Sequence, residues 1–247
     1  MARRLLPFPL RQLPMPPRFA GWFGLVPHVG LRTLAVDAAC QSARSDGIEQ
    51  FVLLGAGLDA RGYRLDMLSQ ARIFEVDHPA TQRFKVRAAK GLVPRAQAII
   101  HVAIRFGQEP LDHALRAAGF DASRRACFVW EGVTPYLPPA AMLASLKSVA
   151  LLSAPGSVLA VTYGTEPLLA GPKVFQAASR SALGLLGEPL LGITTPRAFH
   201  AQLKAAGFQV EEDAGSAEWA RAFGASAPRW PIHERLVVAT RSARVIA

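Results

Sequence analysis

A doubly wound α/β sheet of seven strands, with only the last strand antiparallel, is the fold this sequence predicts, and three observations predict it. The first is the apolar run Phe51-Val52-Leu53-Leu54, which breaks at Gly55-Ala56-Gly57. That is a strand buried on both faces entering a turn whose glycines permit positive φ and a close approach of the backbone to a ligand. The second is Phe74-Glu75-Val76-Asp77, a further apolar strand that closes on an acid twenty residues after Gly57. The third is the alternation of strand and helix patterns along the rest of the chain, ending in helix, short strand, loop and strand. A terminal hairpin of that kind sets its final strand antiparallel in an otherwise parallel sheet.

In order, residues 31–43 have helical spacing, with Leu34, Ala35, Ala38 and Ala39 forming an apolar stripe. Residues 49–55 form the first strand and 71–77 the second. The next helix spans 79–90, with Pro79 suited to its first turn. A third strand spans 97–104, and the short helix 111–118 stops at Gly119. The fourth strand is 125–131, a helix opens with proline at 138–152, and a fifth strand is 156–163. Residues 164–193 break the rhythm, with helical character at 174–186; insertions of this length usually wall or cover a site. Thr195 is placed as the N-cap of a helix to Ala206. Strands at 208–211 and 235–240 complete the chain.

The 247 residues fit one domain, 1–247, carrying a Pro-rich arm at 1–30 and the insertion at 164–193. Apolar residues make up 51% of the chain, yet no uninterrupted run approaches the ~20 residues needed to span a bilayer. The arm is basic and apolar, but Pro7, Pro9, Pro14, Pro16 and Pro17 interrupt it, so it lacks the continuous core of a signal peptide. It reads as a stiffened segment packing on the domain, with membrane contact as the alternative. Two cysteines, Cys40 and Cys127, build no disulfide framework, and a reducing cytoplasm is the expected location. The net charge of +10 is spread along the chain without a run of four basic residues, which fits an anionic small substrate at least as well as nucleic acid. The six histidines show no metal-ligand spacing, so no metal is expected.

The glycine turn alone is a weak signal, because a tight turn can lack a ligand. Together with Asp77, whose carboxylate can accept from both ribose hydroxyls, it implies a nucleoside-containing cofactor at the carboxyl end of the sheet. The segment Asp59-Ala60-Arg61-Gly62-Tyr63-Arg64 crowds the place where a pyrophosphate would sit. A cofactor with one carboxylate and one ammonium fits that crowding better. An NAD(P)-binding oxidoreductase stays open on the glycine turn and acid, although no Tyr-x-x-x-Lys accompanies them.

With Leu54-Gly55-Ala56-Gly57-Leu58-Asp59-Ala60-Arg61-Gly62-Tyr63-Arg64-Leu65, Phe74-Glu75-Val76-Asp77-His78-Pro79 and Glu131-Gly132-Val133-Thr134-Pro135-Tyr136-Leu137, the chain resembles the leucine carboxyl methyltransferase family, whose cofactor is S-adenosyl-L-methionine (SAM). Arg32-Thr33 and Lys85 also match, and the resemblance covers roughly residues 31–163, with the tail 203–240 following the family's rhythm. It implies the class I methyltransferase sheet, with Gly55 and Gly57 along the methionine moiety and Asp77 on the ribose. It further implies Glu131 near the cofactor amino group and Arg32 on its carboxylate. The family includes protein carboxyl methyltransferases and bacterial O-methyltransferases of small molecules, including polyketide-type products. O-methylation of a hydroxyl or carboxylate on a small, apolar organic acceptor is the function expected, with a protein or peptide carboxylate as the alternative. No transmembrane segment and no specific nucleic-acid partner are expected.

One departure stands out. Where the family places an acid and an apolar residue after the third strand, to recognise adenine, this chain has Arg105-Phe106. Phe106 can flank the adenine, but Arg105 cannot accept from its amino group. The catalytic residue is not named by the sequence. Methyl transfer needs alignment more than acid or base, and Tyr136 and His200 are the side chains that would assist a phenol or enol acceptor.

Overall fold

The computed structural model describes residues 25–106, 108–169, 190–227 and 232–243. Seven strands form one sheet in the order β3-β2-β1-β4-β5-β7-β6. They are β1 (Gln50–Leu54), β2 (Arg72–Asp77), β3 (Ala98–Ala103), β4 (Ala126–Trp130), β5 (Val158–Leu169), β6 (Phe208–Gly215) and β7 (Ile232–Arg241). The ladders β1–β2, β2–β3, β1–β4 and β4–β5 are parallel, and β7 lies antiparallel to both β5 and β6. The helices are α1 (Leu25–Ser45), α2 (Arg61–Arg64), α3 (Pro79–Ala88), α4 (Leu111–Ala117), α5 (Pro139–Leu152), α6 (Pro196–Ala205) and α7 (Ser216–Ala222).

Strands β1 and β4 are buried at every residue, which is why they read as unbroken apolar runs. Side chains alternate between two cores. Val52, Leu54, Phe74, Phe128 and Trp130 face one side with Leu115 of α4, Leu146 of α5 and Leu203 of α6. Phe51, Leu53, Ile73 and Val129 face the other with Val36 and Cys40 of α1 and Trp219 of α7. Cys40 and Cys127 are both buried and free, and the thiol of Cys127 is pushed up by its hydrogen bond with Cys40 and by burial.

Local signals act where expected. Thr195 Oγ1 accepts from Ala198 N at 3.3 Å and starts α6, and His78 Nδ1 accepts from Ala80 N at 3.2 Å ahead of Pro79 at the start of α3. Several boundaries differ: β6 runs on to Gly215, where 211 was expected, and β7 starts at Ile232, where 235 was expected. Helix α1 begins at Leu25, six residues before the expected start, because its first turns mix exposed Val26 and Val29 with buried His28 and so hide the apolar stripe. Strand β5 continues to Leu169, paired through a register shift with β7, so the first residues of the expected insertion are strand. The connection before β7 contains a helix, α7, rather than a loop alone. Its seven residues are too few for a periodic signal, and it is held by burial of Trp219 and by Glu218, whose carboxylate accepts from Gly215 N at 2.9 Å.

Most of the expected Pro-rich arm at 1–30 and the core of the insertion at 164–193, with its helical segment 174–186, lie outside the described residues. The far end of the insertion is described. Leu191 N and Gly192 N donate to Pro135 O at 2.8 and 2.9 Å, which ties this end to the loop after β4.

Candidate cofactor site

The carboxyl ends of β1 and β4 open into a crevice of about 420 Å³ lined by Arg32, Thr33, Leu53–Arg61, Arg64, Val129 and Glu131. Its floor is the turn after β1. Gly55 and Gly57 have φ of +67° and +44°, and Gly55 N and Ala56 N both donate to Val76 O, folding the turn over the end of β2. A Cβ on Gly55 would collide with the Val133 side chain. Glycine is required there by the backbone angle and by the close approach of the loop that follows β4. Asp77, the last residue of β2, accepts from Gly57 N at 2.5 Å through Oδ2 and from His78 N at 2.6 Å through Oδ1. Its carboxylate thus braces the glycine turn from the neighbouring strand.

Charge organises the wall. Arg61 is almost wholly buried at the start of α2 and meets three carboxylates: its Nε is 2.8 Å from Asp37 Oδ1, its Nη2 is 2.8 Å from Glu131 Oε2, and its Nη1 bonds Asp59. Burial alone would lower its pKa, but Asp59 and then Glu131 outweigh that and raise it above the ordinary arginine value. Arg32, on α1, donates from Nε to Glu131 Oε1 at 2.8 Å and from Nη1 to Glu234 Oε2 at 2.7 Å. Both oxygens of Glu131 are therefore held by guanidinium groups. Behind them Glu234 of β7 pairs with His28 Nε2 at 2.8 Å, and His28 Nδ1 is 2.7 Å from Ser216 Oγ. Burial pushes the Glu234 pKa up, but His28 and Arg32 more than reverse this and hold it at about 2. One chain of ion pairs and hydrogen bonds thus links α2, the residue that follows β4, α1, β7 and the start of α7.

Of the residues singled out from the sequence, Arg32, Gly55, Gly57 and Glu131 line this crevice. Asp77 adjoins it through Gly57, while Arg105 and Phe106 lie beyond the end of β3 and outside its lining. Arg105 is exposed and its Nη1 lies 3.1 Å from Glu109 Oε1; Phe106 is partly buried against the core beside Ile104. Tyr136 stands in the one-turn 3₁₀ helix Thr134–Tyr136 after β4, half exposed. His200 lies on α6, with Nε2 2.6 Å from Asp213 Oδ2. That same oxygen accepts from the hydroxyl of buried Tyr163 at 2.8 Å, and Arg235 Nε donates to Oδ1 at 2.7 Å. His200 is thus engaged in an ionic cluster over β6 and is not among the residues lining the crevice.

Three members of this network of charges were not selected from the sequence. Arg61 was legible as part of a crowded turn, but its role as the hub of three acids needed the fold. His28 and Glu234 are 206 residues apart and carry no local signal. Among the described residues no group of three or more His, Cys, Asp or Glu is placed to hold a metal ion, and no helix is long and apolar enough to cross a membrane.

Comparison with known proteins decides the family. The family model of leucine carboxyl methyltransferase matches residues 8–150. The chain belongs to the leucine carboxyl methyltransferase family. A relative from Mycolicibacterium gilvum, provisionally named as an S-adenosyl-L-methionine-dependent methyltransferase, is 37% identical over 222 residues, covering 83% of this chain and 68% of its own. Of other curated relatives that it matches, the chain spans less than half the length. Among solved structures, a provisionally named methyltransferase from Thermobifida fusca aligns with a TM-score of 0.61 at 19% identity, over 89% of this chain and 82% of that one. Human N-acetylserotonin methyltransferase in complex with SAM aligns with a TM-score of 0.52 at 16% identity, over 83% and 51%. These likenesses identify the fold, and the seven-stranded sheet with its antiparallel β7 is that of SAM-dependent methyltransferases. As a member of this family the chain is a SAM-dependent methyltransferase, with SAM as its cofactor.

Proposed function

We propose that the chain transfers the methyl group of SAM to an oxygen, a hydroxyl or carboxylate, of a small and largely apolar organic acceptor. The observation that carries the cofactor placement is the crevice wall, where a fixed carboxylate, Glu131, stands beside the guanidinium of Arg32 over a glycine floor. That donor set fits a ligand end bearing both an ammonium and a carboxylate. Two acids in the lining, Asp59 and Glu131, oppose a pyrophosphate, so the geometry does not favour NAD(P). When bound, SAM supplies an electrophilic methyl on a sulfonium whose departure as a thioether needs no acid.

Within this reading each residue has a task. Glu131 receives the ammonium, its two oxygens held in place by Arg32 and Arg61. Arg32 faces the carboxylate with the donors that Glu131 and Glu234 leave free. Gly55 and Gly57 let the backbone approach, and Asp77 offers its remaining lone pairs to the ribose while bracing Gly57. A carboxylate acceptor is already ionised at neutral pH and needs only alignment, which leaves Tyr136 and His200 as auxiliary groups for a phenol or enol. The tethering of residues 191–192 to Pro135 beside Tyr136 supports an acceptor wall built from the insertion. The name of the human neighbour, an N-acetylserotonin methyltransferase, supports a small molecule over a protein carboxylate.

Calorimetry with SAM, S-adenosylhomocysteine and NAD(H) tests the cofactor, and turnover of carboxylate and phenol panels with methyl-labelled SAM tests the acceptor. Micromolar-range affinity for SAM or its demethylated product is expected, and Asp77→Ala should weaken it by at least ~1.5 kcal/mol. Unchanged affinity in the folded variant would end the ribose assignment. Arg105→Asp is expected to keep or tighten SAM binding, since it restores an acceptor after β3 and removes only an exposed ion pair worth about 0–1 kcal/mol. A large loss of affinity would show that adenine is held in another way.

A further inference from the structure

Between Asp77 and Glu109 the chain has no acidic residue but six Lys and Arg. Three of these cations are neutralised: Lys85 Nζ lies 2.8 Å from Glu75 Oε1, Arg95 pairs with Asp66, and Arg105 with Glu109. Arg83, Arg87 and Lys90 are exposed and make no ion pair among the described residues. On α3, Arg83, Val86 and Arg87 are one turn apart and share a face, which Lys90 continues just past the helix end. Interleaved with them are Phe84, Val86, Leu92 and Val93, which are 42%, 48%, 57% and 83% exposed. A shallow hollow of about 460 Å³ lined by Pro79, Gln82, Arg83, Val86, Arg87 and Ala103 opens between α3 and the edge strand β3 on this side.

We propose that this edge of the domain, formed by α3 and the segment leading to β3, docks on an anionic phospholipid bilayer. Charge complementarity selects the partner. Three unpaired cations match lipid phosphates, while four apolar side chains among them gain from insertion below the headgroups. A nucleic-acid backbone would satisfy the cations but offers no apolar bed, and an acidic protein face would need its own apolar patch. Helix α3 starts at Pro79, just after Asp77, and the patch shares no residue with the lining of the cofactor crevice. The docked protein therefore keeps its cofactor crevice open.

Flotation of the full chain with vesicles of phosphatidylcholine, or of phosphatidylcholine containing about 30% phosphatidylglycerol, tests the proposal. Binding is expected to the anionic vesicles only, and to weaken as salt rises. Arg83→Glu with Arg87→Glu and Lys90→Glu should lower the bound fraction about tenfold or more, because reversal turns three attractions into repulsions. Phe84→Ser with Leu92→Ser and Val93→Ser, which leaves the charges unchanged, should also release the protein. Calorimetric SAM affinity should be the same in both variants, which separates lost docking from lost folding. Absence of binding to the anionic vesicles, equal binding to the neutral ones, or indifference to charge reversal would overturn the proposal. Loss on charge reversal with no effect of the serine variant, together with competition by duplex DNA or an acidic peptide, would also overturn it and assign the patch to a soluble polyanion.

Discussion

Arg61→Ala should destabilise the protein by about 3–5 kcal/mol, the scale of removing one partner from a buried ionic cluster. Its guanidinium joins Asp37, Asp59 and Glu131, and without it three carboxylates face one another with only Arg64 and Arg32 nearby. Chemical denaturation with and without S-adenosylhomocysteine measures both consequences. The denaturation midpoint should fall sharply, and cofactor affinity should fall with it, because Glu131 loses one of its two guanidinium partners. Arg61→Lys should recover only part of either, since one ammonium cannot serve three directions with the fork of a guanidinium. A near-neutral Arg61→Ala would show that the three acids are stabilised by something other than this side chain.

The second large effect is a pH dependence. Glu234 has a folded-state pKa of about 2 against an ordinary value of 4.5, so its ionised form is the one that folding favours. Its contribution is complete above the ordinary value and is lost as pH falls through about 2. The shift corresponds to stability on the order of 3 kcal/mol. Glu234→Gln should remove most of this at neutral pH by leaving Arg32 short of a buried counter-charge. It should also flatten the loss of stability between about pH 4.5 and 2. Melting temperatures of both proteins across that window provide the check, and parallel acid limbs would refute the assignment.

How much of this was legible beforehand follows from the range of the interactions involved. The fold was, because β1 and β2 carry their burial in consecutive residues and Gly55 carries its conformation in its lack of a side chain. The floor of the site was legible for the same reason. The wall was only half so. Glu131 and Arg32 were read from a family resemblance, but what holds them is Arg61 on one side and Glu234 on the other. No periodicity connects Arg32 to Glu234, which lies 202 residues further on. Helix α7 was missed on similar grounds, since Trp219 stabilises it by packing beside His28, with ring centroids 5.7 Å apart, and not through any helical repeat. His200 drew attention as a titratable side chain, yet Asp213, which engages it, lies on a different element and was not foreseen.

The placement of Glu234 on β7 has a consequence for how the protein comes into being. A ribosome delivers the glycine turn, Asp77 and Glu131 well before the last strand, and the parallel ladders β1–β2 and β1–β4 can pair during synthesis. Arg32, however, gains its second carboxylate only when β7 slots between β5 and β6. A nascent chain lacking that strand would carry the recognisable motifs of a cofactor site with one of its cations incompletely anchored. On the proposed placement of the cofactor, its wall is therefore completed late, by a contact that spans 202 residues, and not with the motifs by which the site is recognised.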